Sequence, residues 1–499
     1  MGGTVPTLDF VPMLPILLLA ATATIVLLAD LIVPQRGPLF SMWLSLIGMV
    51  LATAAIVLWV PTDATVFNAF LRYDMLGRWG AIISIVGGCL IALVSPRTIR
   101  LYELPAAEYF ALLVFAVLGM ALLCLGVELL TIFLTVETLA ISICILAGLR
   151  RGSSKSSEAA LKYFILGAFS GSFLLFGFAF LYGGAGGSTL LGQVHLSAAQ
   201  PKTTFDLGCL VLGLALALAG FSFKLTLAPF HLYAADVFEG APTPVAALLA
   251  TGSKVAGVVA LVHLISPADG VRISPFTRAL SVDLMTLLWI LAALSIIVGN
   301  VVALLQRNIK RMLAYSTIAH SGYLVIGIMV FAGETEPAGR ADIESALLVY
   351  LAAYVIMNVA AFGVAMTLGR RGEENIEEYA GLARRSPWLA VAMTLAMLSL
   401  TGIPATVGFV GKFVVFARAV EAGFVLIVVL AVLGSAVSAY YYLRVVVAMY
   451  MHEPATEVAA EPIDWVQKAG LVLATVPIVV FGIFPRLLMA VLGAVPRGG

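Results

Sequence analysis

Apolar residues run almost unbroken for roughly 17 to 25 positions at a time along this chain, the length that crosses about 30 Å of hydrocarbon at about 1.5 Å per residue of helix. Short turns rich in Gly, Pro and charged residues separate the runs. They predict helices over Val11–Val33, Leu39–Val60, Met75–Ser95, Glu108–Cys124, Val127–Leu149, Ser157–Tyr182, Phe205–Asp236, Thr243–Ile265, Ala279–Leu305, Ile309–Phe331, Asp342–Leu368, Pro387–Glu421, Phe424–Met451 and Trp465–Leu492. The pattern is that of an all-α polytopic membrane protein with about fourteen transmembrane helices, since a chain in lipid must satisfy its own backbone polar groups. No stretch between runs is long enough to fold alone. The chain therefore reads as one transmembrane domain, with its first three helices in 11–95, further helices in 108–265 and 279–451, and a last helix in 465–492.

Two predicted spans exceed the bilayer and are interrupted. Phe205–Asp236 contains Pro229, which removes an amide donor and blocks the carbonyl four residues back, that of Leu225, beside Lys224. Pro387–Glu421 contains Thr401-Gly402-Ile403-Pro404, which frees the carbonyl of Leu400, and Gly408 and Gly411 loosen the segment before Lys412. Non-helical backbone at this depth needs protein or water to cover it. A pair of broken helices about five spans apart points to two inverted five-helix repeats, at about helices 4–8 and 9–13, with helices 7 and 12 broken.

Composition excludes a soluble protein: 62% of the 499 residues are hydrophobic, 11% are charged, and the mean hydropathy is +1.09. An ordinary soluble domain carries about 25% charged residues. The net charge of +1 supplies no basic field for nucleic acid, so the lipid bilayer is the expected surrounding. Cys89, Cys124, Cys144 and Cys209 are scattered singly, which argues against an iron–sulfur site or a disulfide framework. No Lys or Arg precedes the first apolar run, so that run is expected to stay as a span and not to be cleaved as a signal peptide. Gly183-Gly184-Ala185-Gly186-Gly187-Ser188 lacks the Gly-Lys-Ser/Thr ending of a phosphate loop and reads as a flexible outer loop.

Loop charges set the expected orientation. With the N-terminus outside, the cytoplasmic loops collect Arg36, Arg97, Arg100, Arg150, Arg151, Lys155, Arg307, Lys310, Arg311, Arg370, Arg371, Arg384 and Arg385. The opposite side holds Arg72, Lys202, Arg272, Arg278, Arg340, Arg418 and Arg497, roughly half as many. Both termini are expected outside.

Against this apolar background four charges stand inside predicted spans: Glu137, Lys224, Lys254 and Lys412. An ionised side chain at bilayer depth costs from about 2.5 to 10 kcal/mol or more, so it normally faces protein or a watery cavity. Glu137 falls about ten residues into its helix, hence about 15 Å deep, and Lys224 lies at comparable depth, slightly toward the cytoplasm. A carboxylate beside a lysine favours the ammonium and its removal favours the amine, so the two suit a proton-loading switch; a static buried ion pair is the plainer alternative. Lys254 follows Gly252-Ser253, which permits a kink, in a helix started by Thr243 as N-cap and Pro244 at the first helical position. No carboxylate shares its helix. Lys412 lies past the second break, in the outer half, and suits either proton exit or snorkelling to the interface.

His320, in Ser316-Thr317-Ile318-Ala319-His320-Ser321-Gly322-Tyr323, and His231, two nominal turns after Lys224, suit a relay because imidazole both donates and accepts near neutral pH; each also suits plain packing. His195, His263 and His452 read as structural. Two haem axial ligands on facing helices would be another use of intramembrane histidines, but no same-helix pair supports two-haem binding.

The segment Phe223-Lys224-Leu225-Thr226-Leu227-Ala228-Pro229-Phe230-His231-Leu232-Tyr233, continued by Asp236-Val237-Phe238-Glu239-Gly240-Ala241-Pro242-Thr243-Pro244-Val245 and, nine residues on, Lys254, resembles the signature of the antiporter-like membrane subunits of respiratory complex I, relatives of Mrp-type cation/proton antiporters and membrane-bound hydrogenases. The resemblance runs from roughly Glu108 to Met451. Gly381-Leu382-Ala383-Arg384-Arg385-Ser386-Pro387 and Ser399 to Phe413 look most like the family's N-type branch: the M-type carries a glutamate where Lys412 stands, and the L-type a long C-terminal lateral helix. Tyr233 stands where relatives commonly have an indole.

The resemblance implies a proton-translocating subunit of the NADH-quinone oxidoreductase membrane arm. The family's glutamate–lysine pair maps onto Glu137 and Lys224, its central lysine onto Lys254 and its exit-side charge onto Lys412, with His320 and His231 on a polar line between them. No cofactor is expected in this chain; NADH, FMN, iron–sulfur clusters and quinone belong to other subunits. The implied partners are an M-type antiporter-like subunit, small K-type and J-type subunits and the lateral helix of an L-type subunit, in a bacterial inner membrane. A subunit of a Mrp-type antiporter or another complex I-like assembly, and a structural membrane scaffold, are the competing expectations.

Overall fold

The computed structural model describes residues 10–32, 37–266, 283–368, 374–453 and 464–493. Arg36, Arg272, Arg278, Arg370, Arg371 and Arg497, with Val33 and the expected helix start at 279–282, lie outside the described residues. The chain begins with α1 (Phe10–Ile32) and α2 (Gly37–Leu58), a small hairpin of β1 (Thr65–Val66) and β2 (Leu71–Arg72), then α3 (Met75–Val94), α4 (Pro96–Leu101), α5 (Ala106–Leu125), α6 (Leu129–Ala147), α7 (Ser154–Gly184) and α8 (Leu191–Ala199). Next come α9 (Thr204–Lys224), α10 (Ala234–Gly240), α11 (Thr243–Ala250), α12 (Gly252–Ile265), α13 (Asp283–Leu304), α14 (Ile309–Gly333) and α15 (Pro337–Leu368). After a 3-10 turn at Ile376–Tyr379, α16 (Leu382–Arg385), α17 (Pro387–Thr401), α18 (Val407–Glu421), α19 (Val425–Met451), α20 (Trp465–Ile483) and α21 (Pro485–Val491) complete the described chain.

Thirteen described helices are long and apolar enough to cross a membrane, α11 and α12 counting as one kinked helix. The consecutive apolar pair α17 and α18 supplies the crossing that the remaining interrupted run predicts. Local sequence sets many ends. Asp74 Oδ1 caps α3 through Gly77 N (2.7 Å), Thr203 and Asp206 form a capping box on α9, and Asn308 Oδ1 accepts from Lys310 N (2.9 Å) and Arg311 N (3.2 Å) at the start of α14.

Several expected boundaries move. α9 stops at Lys224 instead of running to Asp236, because residues 225–233 leave the helix before Pro229 and re-enter it only at α10. Thr243 is the first helical residue, Pro242 occupies the cap, and the Thr243 hydroxyl donates to Glu374 Oε1 (2.8 Å). The last run divides at Phe484, before Pro485. The Gly-rich stretch closes α7 and leads into a pinned turn, with Leu129 N donating to Thr189 O (2.9 Å).

Loops that strict alternation assigns to one side touch one another. At one end Arg100 meets Asp464, Lys155 meets Glu239 (2.8 Å), Lys310 meets Glu374 (3.0 Å), and Arg311 meets both Asp236 (2.7 Å) and Glu239 (2.8 Å). At the other end Asp74 meets His263 (3.1 Å), Arg72 meets Asp63 (3.3 Å) and Arg418 meets Asp342 (3.0 Å). α12, α14 and α15 are almost wholly enclosed by the other helices, whereas α1, α7 and α19 expose most of their length. The enclosed helices α12 and α14 carry Lys254 and His320.

Candidate functional site

Each of the three lysines is seated at a helix discontinuity. Lys224 ends α9, where the following carbonyls lose their i+4 donors. Lys254 sits just past the kink at Thr251, whose φ of −109° and ψ of −89° separate α11 from α12. The fully buried ammonium of Lys254 reaches back across the interior and donates to Lys224 O (2.8 Å). It therefore satisfies a carbonyl exposed by the break in the helix that carries the neighbouring lysine. The expected free carbonyl of Leu225 is met locally by the Thr226 hydroxyl (2.6 Å), and Ala228 N donates to Ser295 Oγ (2.9 Å).

The second break repeats this arrangement with different parts. Gly402 adopts a left-handed conformation (φ 91°) that terminates α17, as only glycine does without strain. Lys412 Nζ donates to Leu400 O (2.9 Å), Thr401 O (2.9 Å) and Ser435 Oγ (2.8 Å). Its side chain is 5% exposed, so it does not snorkel to an interface. The freed Leu400 carbonyl expected from Pro404 is the one that the lysine takes.

Glu137 and Lys224 are not in ion-pair contact. α7 packs between α6 and α9, and small residues of α7 thin the wall: a Cβ on Gly171 would stand 2.5 Å from Glu137 Oε1, and one on Gly167 would stand 3.9 Å from the Phe223 ring. The half-buried Glu137 carboxylate thus lies against Gly171, while Lys224 Nζ is buried without a hydrogen-bond partner among the described residues, 5.8 Å from the centroid of the Tyr163 ring. Tyr163 packs on Phe223 and Tyr233, and the Tyr233 hydroxyl donates to Phe223 O (3.0 Å) across the break.

His320, 2% exposed, stands in a cage of tyrosines, with Nδ1 at 2.8 Å from the Tyr350 hydroxyl and ring centroids 5.5 Å from Tyr323 and 5.2 Å from Tyr354. Lys412 Nζ lies 5.2 Å from the Tyr323 centroid, so one ring adjoins both the imidazole and the ammonium. Asn300 Nδ2 donates to the Tyr323 hydroxyl (3.2 Å), and the Tyr441 hydroxyl donates to Asn300 Oδ1 (3.1 Å). His231 lies in the non-helical break, so its nominal two-turn spacing from Lys224 defines no shared face; its ring lies 6.5 Å from that of Tyr315. His195 Nε2 donates to Leu264 O (2.8 Å), and His263 lies against Asp74, both away from this line. Among the described residues no group of three His, Cys, Asp or Glu side chains is arranged to hold a metal ion.

Residues 126–438, more than half of the chain, match the family described as NADH:quinone oxidoreductase/Mrp antiporter, transmembrane. The NADH-quinone oxidoreductase subunit N of Trichlorobacter lovleyi is 39% identical over 97% of this chain and 96% of its own length, and subunit N 2 of Roseiflexus castenholzii is 38% identical over 99% and 98%. The chain belongs to this family. A chain of respiratory complex I from Thermus thermophilus, solved with bound aureothin, superposes with a TM-score of 0.79 at 33% identity, covering 97% of this chain and all of that one. A chain of the Mrp complex from a Dietzia species has the same fold (TM-score 0.78, 21% identity), with 97% of this chain matching 51% of that one. The expected family, its all-helical membrane fold and its class of activity, a proton-translocating antiporter-like subunit of NADH-quinone oxidoreductase, are borne out.

Within this antiporter-family fold the tyrosines are what sequence reasoning missed. Tyr350, Tyr354 and Asn358 recur every four residues on α15, and Ser316, His320 and Tyr323 recur at intervals of four and three on α14. Both are polar stripes at helical spacing, and that spacing was the available signal. Asn300, Tyr441 and Tyr442 carry no such signal, because their partners lie more than a hundred residues away or on another helix.

Proposed function

We propose that this chain moves protons as the N-type antiporter-like subunit of a NADH-quinone oxidoreductase, and that Glu137, Lys224, Lys254, His320 and Lys412 carry them along the middle of the membrane. The observation that carries this reading is the seating of the three lysines at helix breaks, where their ammonium groups meet backbone carbonyls or no polar partner at all instead of fixed carboxylates. A lysine held by a neutral carbonyl can release its proton without leaving a buried carboxylate unpaired. The coupling of Lys224 to Lys254 follows from proximity: Lys254 Nζ reaches the Lys224 carbonyl at 2.8 Å, so charges on the two side chains repel one another. Glu137 acts on Lys224 across the thinned wall of α7, and His231 offers a second imidazole at the first break.

Lys254 hands protons toward His320, whose tyrosine cage adjoins Lys412, and Lys412 stands nearest the release side. The end rich in Arg and Lys faces the cytoplasm and both termini face the periplasm of a bacterial inner membrane. Quinone reduction in other subunits, which hold FMN, iron–sulfur clusters and the NADH site, drives the cycle. M-type, K-type and J-type subunits and the lateral helix of an L-type subunit are its neighbours. Everted vesicles carrying the assembled complex test the reading: Lys224→Ala and Glu137→Ala are expected to assemble fully and lose most NADH-driven proton uptake. Normal pumping by an assembled Lys224→Ala complex sinks it. Sodium-dependent transport without NADH or quinone would instead identify a Mrp-type antiporter, and losses proportional to assembly would identify a scaffold.

A further inference from the structure

At the basic end of the fold, a buried ion pair lines an open polar cleft. Lys310 Nζ lies 3.0 Å from Glu374 Oε2, and their side chains are 7% and 6% exposed. Glu374 Oε1 accepts from the Thr243 hydroxyl (2.8 Å), and Lys310 Nζ also donates to Ala241 O (3.0 Å). The backbone holds the pair in place: Ile309 N donates to Glu374 O (2.9 Å), Ile376 N donates to Arg307 O (2.9 Å), and Asn308 pairs with Asn375. Above the pair the cleft is lined by Glu239, Lys155, Arg150 and Tyr102, with the Arg150 guanidinium 4.2 Å from the Tyr102 ring centroid.

A buried ion pair usually costs more to desolvate than it returns, so its presence at the base of a water-accessible cleft calls for a use. α14 supplies one. Lys310, Thr317 and Ser321 are separated by seven and four residues, which places them on one helical face, and all three are buried. The stripe spans about 15 Å and ends beside His320. Ser321 Oγ has no hydrogen-bond partner among the described residues, and a buried hydroxyl of that kind is one that an ordered water satisfies.

We propose that Lys310 and Glu374 form a proton-entry gate that feeds the His320–Lys412 half of the central line without passing through Lys224. A proton from water in the cleft binds Glu374 Oε2 and dissolves the ion pair. Lys310 Nζ then releases one of its protons to water on the Thr317 face and recovers one from the Glu374 carboxyl, so that one proton has moved inward and both groups return to their starting charge. Thr243 positions the carboxylate throughout.

The inference rests on the proton-relay reading above, and the experiment separates the two. Glu374→Gln, Lys310→Met and the double variant are measured in everted vesicles for assembly, NADH turnover and dye-reported proton uptake, beside Lys224→Met. If the pair is a gate, Glu374→Gln and the double variant both assemble and pump at least about fivefold more slowly, roughly 1 kcal/mol on the limiting step. If the pair only braces the fold, the double variant, which leaves no unpaired charge, recovers wild-type pumping, and the gate is overturned. Thr243→Val keeps both charges and is expected to lower pumping about twofold by misplacing the carboxylate, roughly 0.4 kcal/mol; unchanged pumping there counts against the gate. Normal pumping by Lys224→Met would sink the relay itself, whereas a defective Lys224→Met beside a normal double variant sinks the gate alone.

Discussion

Lys412 offers the sharpest test of whether an intramembrane lysine braces the backbone or carries protons. Its ammonium donates to Leu400 O, Thr401 O and Ser435 Oγ, all at 2.8 to 2.9 Å. Lys412→Met keeps the apolar stem that packs on Gly402 and removes the donors. Thr401 O keeps a partner, because the Ser435 hydroxyl also donates to it (2.8 Å). The Leu400 carbonyl loses its ammonium donor but keeps His320 beside it, at a cost of no more than about 1–3 kcal/mol. That is small against the packing of the helical bundle, so the complex is expected to assemble. Lys412→Arg restores donors and charge but cannot lose its proton at any working pH. A bracing role therefore predicts that Arg retains most of the activity and Met loses part of it. A proton-carrying role predicts that both fall alike, by about tenfold or more in NADH-driven proton uptake, which corresponds to about 1.4 kcal/mol on the limiting step. Assembly is read from native gels and uptake from quenching of a pH-sensitive dye. A wild-type rate of NADH-driven uptake in either assembled variant would refute the reasoning.

Other sites give independent checks. A Cβ on Gly408 would stand 1.9 Å from Ser399 O, so Gly408→Ala must push α18 away from the end of α17 by about 1 Å, at about 1–3 kcal/mol; reduced thermal stability of the purified complex together with reduced pumping is expected. Gly171→Ala meets only the tip of the flexible Glu137 side chain at 2.5 Å, so full assembly with an altered pumping rate is expected, and unaltered pumping would mean that the position of Glu137 is immaterial. Lys254→Met orphans Lys224 O and is expected to abolish uptake while quinone-reductase turnover falls with it; a wild-type rate of uptake by the assembled variant would contradict a central role. Although burial opposes it, the neighbouring His263 and the Gly77 amide hold the Asp74 carboxyl below its ordinary range, so this contribution is present above about pH 4 and lost as pH falls further. Asp74→Ala is accordingly expected to lose about 0.5–2 kcal/mol of cap stability at neutral pH and to show a shallower acid-side decline in thermal stability.

Hydropathy and helix breakers determined much of this protein on their own. Runs of apolar residues fix where helices cross a bilayer, because an unpaired backbone in lipid costs several kcal/mol per group and admits no other structure. Gly402 and Pro229 mark the breaks by local sterics, which is why the freed Leu400 carbonyl beside Lys412 was legible in advance. Intramembrane Glu137, Lys224, Lys254 and Lys412 were equally legible, since their cost is a property of residue and depth. What the tertiary structure decided is which groups meet. α7 stands between Glu137 and Lys224, so the two are not in ion-pair contact, and Lys254 spends its proton donors on the carbonyl of Lys224. The tyrosine cage of His320 is assembled from α14 and α15, and its Asn300 and Tyr441 extension comes from α13 and α19. Lys310 and Glu374, read as loop charges in a positive-inside count or not read at all, become a buried pair only when segments more than sixty residues apart are pinned together. Such pairings depend on packing between distant helices, and a one-dimensional pattern carries depth and periodicity but not the neighbour across the interface.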